Sequence, residues 1–177
     1  MKVIFVRHGQ TNYNLLCLCN DDPTVDVHLT KLGMQQAETL AARLKDEEFN
    51  LVIVSELPRT QETAAIITKG DRTKFRIEPR INDRKTGCEG KPVFDFFIKA
   101  LAPDLFHSKL SGGESFQEEK ERVFSFLEEL KEAKEENILI VSHSEIIQIV
   151  KGYFNNHSDQ EMFDTKIDNC EILEFNL

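Results

Sequence analysis

Val3-Ile4-Phe5-Val6 runs straight into Arg7-His8-Gly9-Gln10-Thr11. Four apolar residues, three of them β-branched, read as a buried strand. The strand stops at a guanidinium, an imidazole and a glycine. Open α/β sheets build ligand sites at the C-terminal ends of their strands. The two side chains delivered here suit a phosphoryl group, because arginine binds it bidentately and histidine can attack it.

Working outward, strand and helix patterns alternate. Lys2 to Val6 is the first strand. A helix is expected from Thr30, as N-cap, to about Leu44, with Met34, Ala37, Leu40, Ala41 and Leu44 at helical spacing. Leu51 to Val54 is a second buried strand, followed by a helix around Thr60 to Thr68. Phe75 to Glu78 is a weaker strand, stopped by Pro79. An amphipathic helix is expected from Glu114 to about Lys134, with Phe116, Val123, Leu127 and Leu130 inward and an acidic, solvated face. Ile138 to Val141 is a fourth apolar strand leading into a helix from about Glu145, and Cys170 to Phe175 is a last edge strand. Near-continuous apolar strands separated by helices predict a mostly parallel sheet covered on both faces. The irregular stretch from about Gly87 to Gly113 reads as a lid or insert within a single domain spanning 1–177.

Bulk properties narrow the function. At 177 residues, 40% hydrophobic and 30% charged, the composition suits one soluble globular domain. No run approaches the length of a membrane span, and the apolar stretch in MKVIFVRHG is too short for a signal peptide. A cytoplasmic protein without a membrane partner is expected. Residues 1–90 carry 13 basic and 13 acidic side chains, so residues 91–177, with 9 and 18, supply the whole net charge of −9. An acidic chain repels a polyanion, which argues against nucleic acid. A small anion remains compatible if the first half gathers its cations in a pocket. Cys17, Cys19, Cys88 and Cys170 form no CxxC pair. They read as reduced thiols rather than a zinc site, with Cys17 and Cys19 in a packed segment. His28 reads as a loop or core-edge histidine.

The residues that follow the strands form a constellation. The first strand ends at Arg7-His8, the second at Ser55 with Arg59 four residues on. The third ends near Arg80, Asp83, Arg84 and Lys85, and the fourth at Ser142-His143-Ser144. In a parallel sheet these ends share one edge, which brings two imidazoles, several guanidiniums and a carboxylate together. One imidazole would attack phosphorus. The arginines and the second imidazole, protonated, would stabilise the equatorial oxygens, and a carboxyl group would protonate the leaving oxygen. Helix N-termini just past the strands would add N–H donors.

These motifs carry a resemblance. RHGQTNYN (7–14), LTKLGMQQA (29–37), SELPRTQETA (55–64), GGESF (112–116), VSH (141–143) before an apolar helix, and DNCEILEF (168–175) resemble the histidine phosphatase superfamily in the same order. This is the phosphoglycerate-mutase-like family of phosphatases and mutases. The resemblance implies a three-layer α/β/α sandwich, His8 as the nucleophile that becomes phosphohistidine, and Arg7, Arg59 and His143 as the rest of the phosphate pocket. It also implies Asn14 as a phosphate contact, and catalysis without metal or other cofactor. A small phosphorylated substrate is the implied partner; its identity and the oligomeric state stay open.

The chain departs from the family pattern in two places. Where the family usually has an acid–base glutamate, this sequence has Asp83, and the following Gly-to-Gly segment is one residue short. Either Asp83 serves from a shifted backbone, which its position in the pattern favours, or Glu89 reaches in. Glu145 stands where relatives often have a small residue. It is expected to face solvent in the first turn of its helix, complementing the dipole; the alternative is a carboxylate that shifts an imidazole or repels an anion. Arg72, Lys74, Arg76, Arg80, Arg84 and Lys85 are expected to be a solvated strand edge, or else a rim for a second anionic group of the substrate. The leading function is phosphomonoester hydrolysis through His8. The alternatives are a phosphoglycerate-type mutase and a non-catalytic phospholigand binder. The short insert and the presence of both histidines and both arginines favour the hydrolase.

Overall fold

The apolar strands assemble as their composition requires. The computed structural model describes residues 1–101 and 104–177. In chain order the elements are β1 (Lys2–Arg7), α1 (Asn12–Leu16), α2 (Lys31–Arg43), β2 (Leu51–Val54), α3 (Pro58–Ile67), β3 (Phe75–Ile77) and a 3-10 turn, Pro79–Ile81. There follow α4 (Val93–Phe96), a π-helical turn Phe97–Leu101, α5 (Phe116–Leu130), β4 (Asn137–Ser142), α6 (Ser144–Asn155), α7 (Asp159–Asp164) and β5 (Ile172–Asn176).

The sheet order is β3-β2-β4-β1-β5. Every pairing is parallel except that of β5, which runs antiparallel to β1 along the edge. Alternate residues of each strand feed opposite faces. Val3, Phe5, Ile53, Ile138 and Ile140 pack with α5 and α6, whereas Ile4, Val6, Val52, Val54, Leu139 and Val141 pack with α2 and α3. Two cores on either side of one sheet make the three layers. β1 and β4 are buried on both faces, which is why they read as unbroken apolar runs rather than alternating ones.

Local chemistry sets the helix ends. α2 begins where Thr30 accepts from the Gly33 amide, and its buried stripe is Gly33, Ala37 and Leu40, with Leu44 just beyond its end. Met34, expected inward, lies off that stripe and is exposed. α3 starts two residues earlier than expected because Pro58 occupies its first turn, where the missing N–H costs nothing. α5 is framed by a Ser115–Glu118 capping box and stops at Leu130, short of Lys134. Its acidic face is not wholly solvated, since Glu119 is completely buried. Cys19 is buried but Cys17 is exposed, so that segment is packed on one side only. Within the expected lid, α4 and Phe97 stand beside the strand ends, while Ala102 and Pro103 lie outside the described residues. No helix among the described residues is long and apolar enough to cross a membrane.

Candidate active site

The parallel register aligns the ends of β1 and β4, with Arg7 opposite Ser142. The His8 amide donates to the Ser142 carbonyl at 3.0 Å. His8 and His143 therefore leave the sheet side by side, and their ring centroids are 5.3 Å apart. Behind them the loop after β1 is pressed against the start of α2. A Cβ on Gly9 would lie 2.5 Å from the Gly33 carbonyl oxygen, and one on Gly33 would lie 2.0 Å from that of Gln10. Both glycines are required by this backbone-to-backbone approach.

His8 is held in one tautomer. Its Nδ1 lies 2.7 Å from the Gly9 carbonyl, which can only accept, so the ring hydrogen is assigned to Nδ1. Nε2 then keeps its lone pair and accepts from Arg59 Nε at 3.2 Å. Burial, reinforced by Arg59, His143 and Arg7, pushes the imidazole well below its ordinary pKa. A neutral ring with a positioned, unprotonated Nε2 is what a nitrogen nucleophile needs.

Arg59, in the first turn of α3, is buried and fully engaged. It donates from Nη1 to the Asn20 side-chain oxygen, from Nη2 to the Asn20 carbonyl at 3.1 Å, and from Nη2 to Asp83 at 2.9 Å. Arg7 donates to the Ile167 carbonyl at 2.6 Å, and its buried Nε has no partner. His143 has its Nε2 2.9 Å from the Ser55 hydroxyl, which lies 2.8 Å from that of Thr60. The Thr60 hydroxyl also donates to the Leu57 carbonyl at 3.0 Å, and the Ser55 hydroxyl accepts from the Leu57 amide at 3.2 Å, so this network engages the His143 ring at Nε2 and leaves Nδ1 outside it. That atom is buried, unbonded and 3.6 Å from Asp83 Oδ2. Burial and then Arg59, Arg122 and Arg7 push the His143 imidazole well below its ordinary pKa.

Asp83 bridges this cluster, with one carboxylate oxygen near both Arg59 and His143. Glu89 does not reach in. Its carboxylate accepts from the Asp21 and Asp22 amides, at 2.8 and 3.0 Å, and from the Asn20 side chain at 3.1 Å. It fixes the loop that presents Asn20 to Arg59. Positive φ at Gly87 and Gly90 turns the shortened Gly-to-Gly segment so that Glu89 points to that loop. Asn14 lines the cavity, with its side-chain oxygen accepting from the Thr11 amide.

The cavity has a volume of about 410 Å³, and Arg7, His8, Asn14, Asn20, Arg59 and Asp83 are among the residues that line it. One further expectation is overturned. Glu145 does not face solvent: it lines the cavity and accepts from the buried Arg84 at 2.6 Å. The turn at the end of β3 aims Arg84 inward, beside α6. Nor do the clustered basic residues form a rim. Lys74 donates to the Phe49 carbonyl, Arg76 lies near Glu78, and Arg80 pairs with Glu78 and Glu129. Arg72 and Lys85 are exposed, and only Arg84 lines the cavity. His28 is exposed between Asp26 and Glu62. Sequence reasoning missed Asn20, because an asparagine in a loop has no periodicity to mark it. It also missed Glu119, whose neighbours on α5 are solvated glutamates. Among the described residues, no three His, Cys, Asp or Glu side chains group as a metal site would.

A family model described as histidine phosphatase superfamily (branch 1) matches residues 3–177. The chain belongs to the histidine phosphatase superfamily. Among curated members, it is 28% identical over 176 residues to an adenosylcobalamin/alpha-ribazole phosphatase of Escherichia coli, covering 95% of this chain and 86% of that one. It is 27% identical over 161 residues to a fructose-2,6-bisphosphatase of Saccharomyces cerevisiae, covering 88% of this chain and 34% of that one. Among solved structures, an alpha-ribazole phosphatase from Shigella flexneri superposes with a TM-score of 0.89 at 28% identity, covering 100% of this chain and 91% of that one. The three-layer histidine phosphatase fold expected from the motifs is thus the fold of this protein.

Proposed function

We propose that the protein is a phosphomonoester hydrolase that works through a phosphohistidine at His8. The observation that carries this reading is the neutral His8 ring, whose Nε2 lone pair is held by Arg59 at the floor of an arginine-lined cavity. The substrate phosphate displaces Asp83 from Arg59 and takes hydrogen bonds from Arg7, Arg59 and the Nδ1 of His143. No side chain caps the start of α6, so its first-turn N–H groups are available to the same oxygens. Nε2 attacks phosphorus as the ester P–O bond breaks. The electron pair stays on the leaving oxygen, which takes the proton that Asp83, freed from Arg59, has accepted from the monoanionic substrate phosphate. A water then attacks phosphorus, gives its proton to the Asp83 carboxylate, and the P–N bond breaks to release phosphate and restore Nε2.

The alternative reading of Glu89 as the acid has no support in the geometry, because its carboxylate is occupied by the 20–22 loop. The relatives named above act on different phosphate esters, so shared ancestry supports the reaction more strongly than any particular alcohol. The deciding experiment measures phosphate release from an aryl phosphate with chelator present, for the wild type and His8→Ala. Turnover in the wild type, an acid-labile phosphoryl label on the protein, and loss of both in His8→Ala are expected. Undiminished turnover in His8→Ala would overturn the assignment.

A further inference from the structure

The cavity changes character away from His8. Part of its lining is apolar, formed by Leu18, Val27, Val93, Phe96, Phe97 and Phe163. Phe97 meets Phe163 edge-on at 6.2 Å and Phe96 at 6.3 Å. It is 43% exposed, so the aromatic surface continues from the cavity to its mouth.

A second anionic group on a substrate needs a cation to receive it, and Arg84 is the one placed to do so. Its charge is enclosed. Nε and Nη1 are sealed from solvent, and the guanidinium lies 5.2 Å from the centroid of Phe96 and 5.9 Å from that of Phe116. Nη2 donates to Glu145 at 2.6 Å, and a Glu119 oxygen stands 3.7 Å from Nε. Two carboxylates face one guanidinium, so its charge is already met within the wall. The part of this group that a ligand meets is Glu145, whose side chain is 18% exposed.

We infer that the site selects monoesters carrying one phosphate on an apolar, ring-sized alcohol, and that Glu145 is the specificity residue turning away esters with a second anion. This rests on the phosphomonoesterase reading above. A carboxylate or second phosphate brought to this part of the cavity meets the carboxylate end of the Arg84–Glu145 pair in a partly desolvated setting, with the guanidinium turned away behind it. An aromatic ring there covers Phe96, Phe97 and Phe163 instead.

The test uses matched esters, so that leaving-group chemistry stays nearly constant. The kcat/KM values for phenyl, 4-carboxyphenyl and 2-naphthyl phosphate are compared in wild type, Glu145→Gln and Phe97→Ser. Wild type is expected to favour phenyl over carboxyphenyl phosphate by about tenfold or more. Glu145→Gln is expected to bring that ratio to within about threefold, because the amide keeps a hydrogen-bond acceptor for Arg84 without the charge. Phe97→Ser, at a half-exposed position that tolerates replacement, is expected to reduce the naphthyl-to-phenyl ratio by about tenfold. Equal turnover of the carboxylated and plain esters by wild type, or a ratio unmoved by Glu145→Gln, overturns the inference and leaves the phosphatase reading standing. If Glu145→Gln does not fold, the wild-type ratio and Phe97→Ser decide. Absence of turnover on all three esters, with no phosphoryl label at His8, overturns the phosphatase reading itself.

Discussion

Replacing Gly33 with alanine separates packing from helix propensity by the sign of one measurement. Gly33 sits in the first turn of α2, and in a helix unconstrained by neighbours alanine there would stabilise by about 0.5–1 kcal/mol. In this protein the new Cβ would lie 2.0 Å from the Gln10 carbonyl oxygen and 2.9 Å from both the carbon and the nitrogen of that residue. Ordinary contact is about 3.5–4.0 Å, so the backbone must yield by something on the order of 1.5 Å. It cannot yield freely. The Gln10 carbonyl accepts from the Thr30 amide at 2.8 Å, and the Gln10 amide donates to Gln36 at 2.9 Å. Overpacking of this kind costs about 1–3 kcal/mol, which exceeds the propensity gain. For a chain of this size that lowers Tm by roughly 2–12 °C. Gln10 is two residues from His8, and a displacement near 1 Å at a reacting group costs about a hundredfold in rate. Thermal unfolding and kcat on an aryl phosphate are the assays. A raised Tm with kcat unchanged would refute the reasoning, since it would mean that propensity had prevailed and that the RHG loop does not depend on this contact.

Three other perturbations bear on the site. Asp83→Asn should slow alkyl phosphates at least about tenfold more than aryl phosphates, because only a poor leaving group needs the proton; equal losses would assign Asp83 a structural role. Glu89→Ala should lower stability by about 1.5–3 kcal/mol through its lost charge-assisted bonds to the 20–22 loop. It should also slow aryl and alkyl esters alike, so a loss confined to alkyl esters would return the acid role to Glu89. Folding holds His8 and His143 neutral, with pKa values well below the 6.5 of an exposed imidazole. Below about pH 6.5 the unfolded chain therefore binds protons that the folded chain does not. Their contribution is complete above that pH and falls by up to about 1.4 kcal/mol per pH unit per imidazole as pH drops toward the folded values. Urea unfolding at pH 7.5 and 5.5, with imidazole NMR, checks this; midpoints near 6.5 for both rings in the folded protein would contradict it.

The layers and the principal residues of the site can be read from the chain. Strands buried on both faces must be apolar throughout, so β1, β2 and β4 were legible. The residue that ends each apolar run is also the one carried to the sheet edge, which made Arg7, His8, Ser55 and His143 readable as a group. What the remaining charges do is set by contacts that form on folding. Whether Asp83 or Glu89 faces the cavity depends on the turn between Gly87 and Gly90, and chain position records nothing of its direction. Asn20, Arg84, Glu119 and Glu145 come from four separate segments, and their partners are 39 residues away for Asn20 and 61 for Glu145. Hydrophobic burial repeats with the period of each element and leaves a pattern in the chain. A buried hydrogen bond or ion pair is made once, between two points that folding alone brings together, and leaves none.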